Sequence, residues 1–255
     1  MTDHWFDNFF TAPNAAPASL AFGQFTLAHL VTLAVLAVGV AALVWAYVKA
    51  DTTRRRTMRL VVGISVLLLE LVLRQGIFLA LDMYTPDILP LHACAVVTFC
   101  VFIDSVKANS WTREFIYAVG TWGPLCAVIF PNWDQQPIFN LYTWQAFIIH
   151  ALLFAYALMI IVSKEFRPSA KNLWKVVIIM AVFVTASIIV NTRLGTNFWF
   201  LNTGAPGSPL QPIQDLAGPA YLPVLAVLVA ILWTIMYLPW RHRRGSGKRP
   251  STSAS

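Results

Sequence analysis

The side chains best suited to chemistry here are a thiol and two imidazoles in otherwise apolar runs. His92 and Cys94 stand in Leu89-Pro90-Leu91-His92-Ala93-Cys94, and His150 in Phe147-Ile148-Ile149-His150-Ala151-Leu152. An imidazole in a dry site beside a thiol can take its proton and leave the thiolate, the reactive species. Each residue also has a plainer reading. Cysteine is a common small apolar filler, the reading given to Cys100 and Cys126, and a neutral histidine is tolerated in a core when hydrogen-bonded. On a regular helix, positions two apart point about 200° away from each other, so only one of His92 and Cys94 is expected to face a given site unless that turn is distorted. The cysteines supply no disulfide framework, although a Cys94–Cys126 bridge stays open as an alternative. No close motif or supporting carboxylate joins His92, Cys94 and His150 into a metal or haem site, so no metal and no cofactor is expected.

Glu70 and Arg74 form a second constellation. They are spaced i to i+4 with the acid N-terminal, the favourable order for an intrahelical pair. Within a membrane such charges are costly and face a bundle interior or a wet cavity, so the pair either binds a charged head group or fixes one helix against its neighbours.

The elements that must position these residues are membrane helices. The chain has 255 residues, 58% hydrophobic and 11% charged, with a mean hydropathy of +0.66; its solvent is lipid. The segments are apolar all round rather than alternating, which excludes a barrel. The predicted fold is all-α, a polytopic bundle of about seven transmembrane helices over 25–48, 58–82, 88–106, 113–131, 140–163, 173–192 and 219–240. No internal repeat is evident.

The net charge of +7 reports topology rather than nucleic-acid binding. Apart from Arg74 and Arg193, the 18 Lys and Arg residues fall in four groups: Lys49 to Arg59, Lys107 with Arg113, Lys164 to Lys175, and the tail from Arg241. Basic and nearly base-free connections alternate, which places the N-terminus outside and the C-terminus in the cytoplasm. Three regions follow: an external or interfacial segment 1–24, a membrane domain 25–240 and a disordered basic cytoplasmic tail 241–255. Residues 1–24 lack the basic start of a secretory leader. Trp5, Phe6, Phe9 and Phe10 suit a segment lying in the outer interface, with a disordered tail as the alternative. Depth along each helix then gathers Arg74, His92, Cys94, His150 and Asn191 between the outer surface and the midplane, and leaves the inner half blander.

The chain resembles the YwaF-like bacterial integral membrane proteins over nearly all its helical length. The matching features are Pro90-Leu91-His92-Ala93-Cys94, His150, the block Asn191-Thr192-Arg193-Leu194-Gly195-Thr196-Asn197-Phe198-Trp199-Phe200-Leu201, Pro206, and Asp215-Leu216-Ala217-Gly218-Pro219. It departs from the pattern at Ala220-Tyr221-Leu222-Pro223, where a Trp-Pro-Trp-Tyr-like run is expected. That family is related to an animal membrane acyltransferase that remodels ether phospholipids through a cysteine nucleophile paired with a histidine. The resemblance implies the bacterial cytoplasmic membrane as location, and the roles of nucleophile and base for Cys94 and His150.

The reaction this implies is transfer of an acyl group from a membrane lipid, by way of a Cys94 thioester, to a lysophospholipid hydroxyl or to water. Asn191, Asn197 or backbone amides near Gly195 are candidate oxyanion donors, and Asp215 is a candidate to orient His92 or the loop. Arg74 and Glu70 are candidates for a phosphate and its ammonium substituent. The rival readings are a transporter or lipid carrier without covalent chemistry, and a membrane scaffold or assembly factor.

Overall fold

The computed structural model describes residues 8–12, 15–80 and 84–241. Trp5, Phe6 and the tail beyond Arg241 lie outside the described residues. The fold is all-α, with one isolated antiparallel bridge between Ala21 and Pro137. The helices are α1 (Leu27–Lys49), α2 (Thr52–Ala80), α3 (Ala93–Val106), α4 (Ser110–Ala118), α5 (Trp122–Ile129), α6 (Leu141–Val162), α7 (Leu173–Leu194), α8 (Leu210–Ala217) and α9 (Tyr221–Arg241).

Their starts follow local chemistry. Asp51 accepts from the Arg54 amide at the start of α2, Asn109 from Trp111 and Thr112 at the start of α4, and Asn140 from Tyr142 at the start of α6. These side-chain oxygens satisfy amide groups that a helix N-terminus leaves without partners. Gly195, with φ of 69°, ends α7 in the left-handed region that favours glycine.

Among the described residues, six helices are long and apolar enough to cross a membrane, rather than seven: Leu27–Lys49, Thr52–Ala80, Pro86–Val106, Leu141–Val162, Ala170–Leu194 and Leu210–Trp240. The helix predicted over 113–131 is broken between Ala118 and Trp122. The break is close-packed and admits only glycine at its centre, since a Cβ on Gly120 would lie 2.6 Å from the Ile116 carbonyl oxygen and 2.9 Å from Val97 of α3. The carbonyls it frees are recaptured: Thr121 donates to Tyr117, and the indoles of Trp122 and Trp233 both donate to Ala118. A broken helix within a membrane bundle requires such compensation.

The core is built on Tyr47, Phe115, Ile116, Tyr156, Met159 and Ile160. α2 packs closely on α3, where a Cβ on Gly63 would strike the Ser105 hydroxyl. α1 and α6 run parallel, since the segments preceding them are paired through Phe22 and Gly23 amides on Gln136 and Asp134 carbonyls, both at 3.0 Å. The stretch before α1 is anchored as well: Asn140 donates to the carbonyls of Asn8 and Thr11, and Leu141 to that of Phe9.

The basic end of the bundle differs from the bland half expected. Asp104 accepts from Arg113 (3.1 Å), Thr112 (3.1 Å) and Tyr156 (3.0 Å). Glu165 accepts from Arg59, Arg55 and Tyr47. Glu114 accepts from the Ser169 amide (3.1 Å), Asn172 (2.9 Å) and Tyr237 (2.8 Å). Arg113 also donates to the Glu165 carbonyl, joining two of these centres. The acids are far apart in sequence from most of their partners, so helix-by-helix depth did not reveal the network.

Candidate active site

A cavity of about 1250 Å³ opens toward the other end of the bundle. Its walls include Glu70, Arg74, His92, Cys94, Cys126 and His150. The rest is mostly aliphatic and aromatic, with Trp199, Trp233 and Met180 among them.

Arg74 and Glu70 are presented by a π-helical stretch, Leu69–Gly76, within α2. Its i→i+5 repeat brings Gln75 beside Glu70 along with Arg74, so the buried carboxylate accepts from both at 3.1 Å. Gln75 also donates to the Ile88 carbonyl and accepts from Tyr84. From α6, Gln145 donates to Leu69 O (3.2 Å), satisfying a carbonyl of the irregular turn. π-helical turns occur frequently at functional sites. Gln75 and Gln145 were not singled out in the sequence because their partners depend on this turn.

His92 and Cys94 both line the cavity, in contrast to the regular-helix expectation. The reason is that α3 begins only at Ala93: His92 is its N-cap, with extended backbone angles (φ −61°, ψ 153°), and the 200° rule does not extend to it. Cys94 therefore lies in the first turn, where the helix dipole favours negative charge and the Ala93 and Cys94 amides have no intrahelical acceptor.

His92 is held by the long connection after α7. Its Nδ1 accepts from the Trp199 amide (3.4 Å), its ring contacts Phe198 and Phe200, and the Trp199 indole donates to the Leu91 carbonyl (2.6 Å). Trp199 and Phe200 adopt φ of 60° and 53°. Such left-handed backbone in consecutive bulky residues is strained, and here it aims the loop at the start of α3.

The histidines divide by their partners. His29 is fully buried; its Nδ1 accepts from Phe25 N (3.0 Å), which leaves Nε2 to donate to Val128 O (2.9 Å). Both nitrogens are committed: Nδ1 to the turn before α1, and Nε2 to pinning α1 to α5. His150 donates through Nδ1 to Ala146 O (2.6 Å) and stacks on Trp133, with ring centroids 5.4 Å apart. That bond fixes the tautomer and leaves Nε2 as an unprotonated acceptor with no hydrogen-bond partner among the described residues. Cys94 and His150 line one cavity without a direct hydrogen bond to each other. The cysteines are all free, Cys94 and Cys126 included.

Asn191, Gly195, Asn197 and Asp215 do not line the cavity. Asn191 clamps the loop, donating to Phe198 O and accepting from Thr196 and the Phe198 amide. Asn197 binds Thr203 and the Asn202 amide in the same way. Asp215 is exposed, and Trp199 rather than Asp215 contacts His92.

The fold and cavity define a multi-pass helical membrane protein with a thiol, two imidazoles and an ion pair around one internal chamber. The chain belongs to the TMEM164 family, whose family model matches residues 24–237. Comparison with curated proteins and with solved structures gives no match.

Proposed function

We propose that this protein is a membrane-embedded lipid acyltransferase, or an acyl-ester hydrolase when water is the acceptor, working through Cys94 and His150. The observation that carries this reading is the shared cavity, which Cys94 enters from a helix N-terminus and in which His150 has a free Nε2. In the first half-reaction the Cys94 proton passes to His150 Nε2 and the sulfur attacks the ester carbonyl. The ester C–O bond breaks, and the imidazolium returns the proton to the departing lysolipid hydroxyl. In the second, His150 takes a proton from the acceptor hydroxyl, whose oxygen attacks the thioester; the C–S bond breaks, and the departing sulfur takes that proton back from the imidazolium, restoring the thiol and the neutral imidazole.

The free amides of Ala93 and Cys94, with Arg74, are better placed than Asn191, Gly195 or Asn197 to meet the developing oxyanion, because the latter are engaged in the loop. Arg74 and Glu70 remain candidates for a phospholipid head group. Counting α4 and α5 together as one broken crossing, about 30 Å long, makes seven crossings. The alternation of basic connections then puts the basic end in the cytoplasm and the cavity mouth toward the outer leaflet of a bacterial inner membrane.

The test is labelling of the purified protein with a thiol-reactive lipid analogue. The expected result is loss of label in Cys94→Ala and a fall of about 10²–10⁴-fold in rate in His150→Ala. Labelling indifferent to both substitutions would overturn the mechanism. A lipid carrier is the second reading, favoured by the buried Glu70–Arg74 pair; lipid uptake by proteoliposomes that survives Cys94→Ala would support it.

A further inference from the structure

His150 lines a second space as well. A groove of about 670 Å³ runs between α1 and α6, and its walls are otherwise apolar: Leu33, Ala37 and Val44 from α1, Leu125 and Val128 from α5, and Phe154 and Leu158 from α6 are typical. α5 is the partition. Its Cys126 and Ala127 face the main cavity, and its Leu125, Val128 and Ile129 face the groove. The end near the start of α1 is shut by the cluster of Phe22, Val128, Phe147 and Trp133 and by the His29 bond to Val128 O. At this level His150 is the side chain common to both spaces.

Resting on the acyl-transfer reading, we propose that this groove holds the acyl chain of the lipid, with its ester or thioester carbonyl at His150 and its methyl end toward Val48 and Val162. Three observations converge on that occupant. Apart from His150 at one end and the Trp45 indole toward the other, the lining side chains are aliphatic or phenyl, so it suits a hydrocarbon chain whose carbonyl lies at His150. The parallel course of α1 and α6 keeps the trough continuous, and from His150 to Val162 it extends about 18 Å at 1.5 Å per residue. One leaflet of hydrocarbon is about 15 Å deep, so the trough matches the reach of a membrane acyl chain. Just past Val48 and Val162 the walls turn polar at Lys49, Ser163 and Lys164, which sets an end to it. The groove would act as a ruler for chain length, while the main cavity receives the glycerol and head group.

The experiment uses the full-length protein in lipid nanodiscs with phosphatidylcholines of short, medium and long acyl chains. Added bulk in the far half of the groove, Leu158→Trp or Ala41→Phe, is expected to lower transfer of long chains about tenfold or more while sparing short ones. An equal effect on all lengths would overturn the ruler. A second measurement uses the unsubstituted protein and Cys94→Ala, each with a phospholipid carrying a photoreactive group at the acyl terminus. Cross-links are expected on peptides containing Val48, Leu158 or Val162. Cross-links there without any thioester on Cys94 would retain the groove and sink acyl transfer. A thioester with cross-links confined to Val229 and Trp233 of the main cavity would sink the groove alone. Loss of the groove cross-links in Lys49→Glu with Lys164→Glu would instead identify a lipid whose head group lies at the basic end, and would also overturn the proposal.

Discussion

At the basic end of the bundle, Asp104, Glu114 and Glu165 are each held by three or more donors, whereas at the cavity end Cys94 and the Nε2 of His150 face open space without protein partners. Both regions are polar islands in an apolar chain, yet they are built for different ends. The first closes its hydrogen bonds on itself and ties α1, α2, α3, α4, α6 and α9 to one another and to the connection before α7. The second leaves a thiol, an imidazole nitrogen and helix amides uncommitted, an arrangement that costs stability. Polarity inside a membrane protein therefore locates a site only after its partners have been counted.

That contrast breaks most visibly under substitution of the buried acids. Asp104→Ala strands Arg113, Tyr156 and Thr112 and is expected to cost about 3–5 kcal/mol, read as a large fall in thermal stability in detergent. Cys94→Ala is expected to change stability by less than about 1 kcal/mol. Equal losses for the two would erase the distinction. Next in size, Gly120→Val forces a side chain against Ile116 and Val97 and should cost about 1–3 kcal/mol, measured by the same melting curves. The histidines sharpen the comparison further: His29→Ala orphans the Phe25 amide and Val128 carbonyl, a loss of about 1–3 kcal/mol. His150→Ala should leave the melting temperature nearly unchanged while slowing thiol labelling about 10²–10⁴-fold.

The smallest effect is at the surface cap of α2. The Arg54 amide bond holds the Asp51 carboxyl below its ordinary value of 3.8. A depressed folded value means that the cap contributes fully above the ordinary carboxylate range and is lost as pH falls through the lowered value. Acid titration of unsubstituted protein and Asp51→Asn should therefore diverge only at the acidic extreme. A difference that persists unchanged through that range would contradict the assignment.

Hydropathy made six helices legible because each is a continuous apolar run. It could not show the interruption of the next one, since Val119, Gly120 and Thr121 lie in equally apolar sequence and the close approach at Gly120 is to Val97, a neighbour remote in the chain. Cys94, His150, Glu70 and Arg74 were legible as odd residues in apolar surroundings, and depth brought them to one level. His92 and Cys94 share the cavity by the exception to regular helix geometry: the helix starts one residue after His92. Asn191 and Asn197 read as donors looking for a substrate, but the turn-rich composition around them, Leu194-Gly195-Thr196-Asn197, is that of a loop satisfying its own backbone. The basic-end network was opaque, because its acids look like ordinary helix-end charges until the helices are packed.

The π-helical stretch of α2 makes the geometry of the chamber depend on a count. Before it, α2 is locked to α3 by the Gly63–Ser105 contact; within it, Arg74 and Gln75 take their bearing from the wider turn. Losing one residue between Leu69 and Gly76 would tighten that turn and swing both side chains about a quarter-turn around the axis, while shortening the span by only about 1.5 Å. A single-codon deletion, almost silent to hydropathy, would thus re-aim the guanidinium relative to Cys94, and relatives that differ by one residue here would differ in chemistry before they differed in fold.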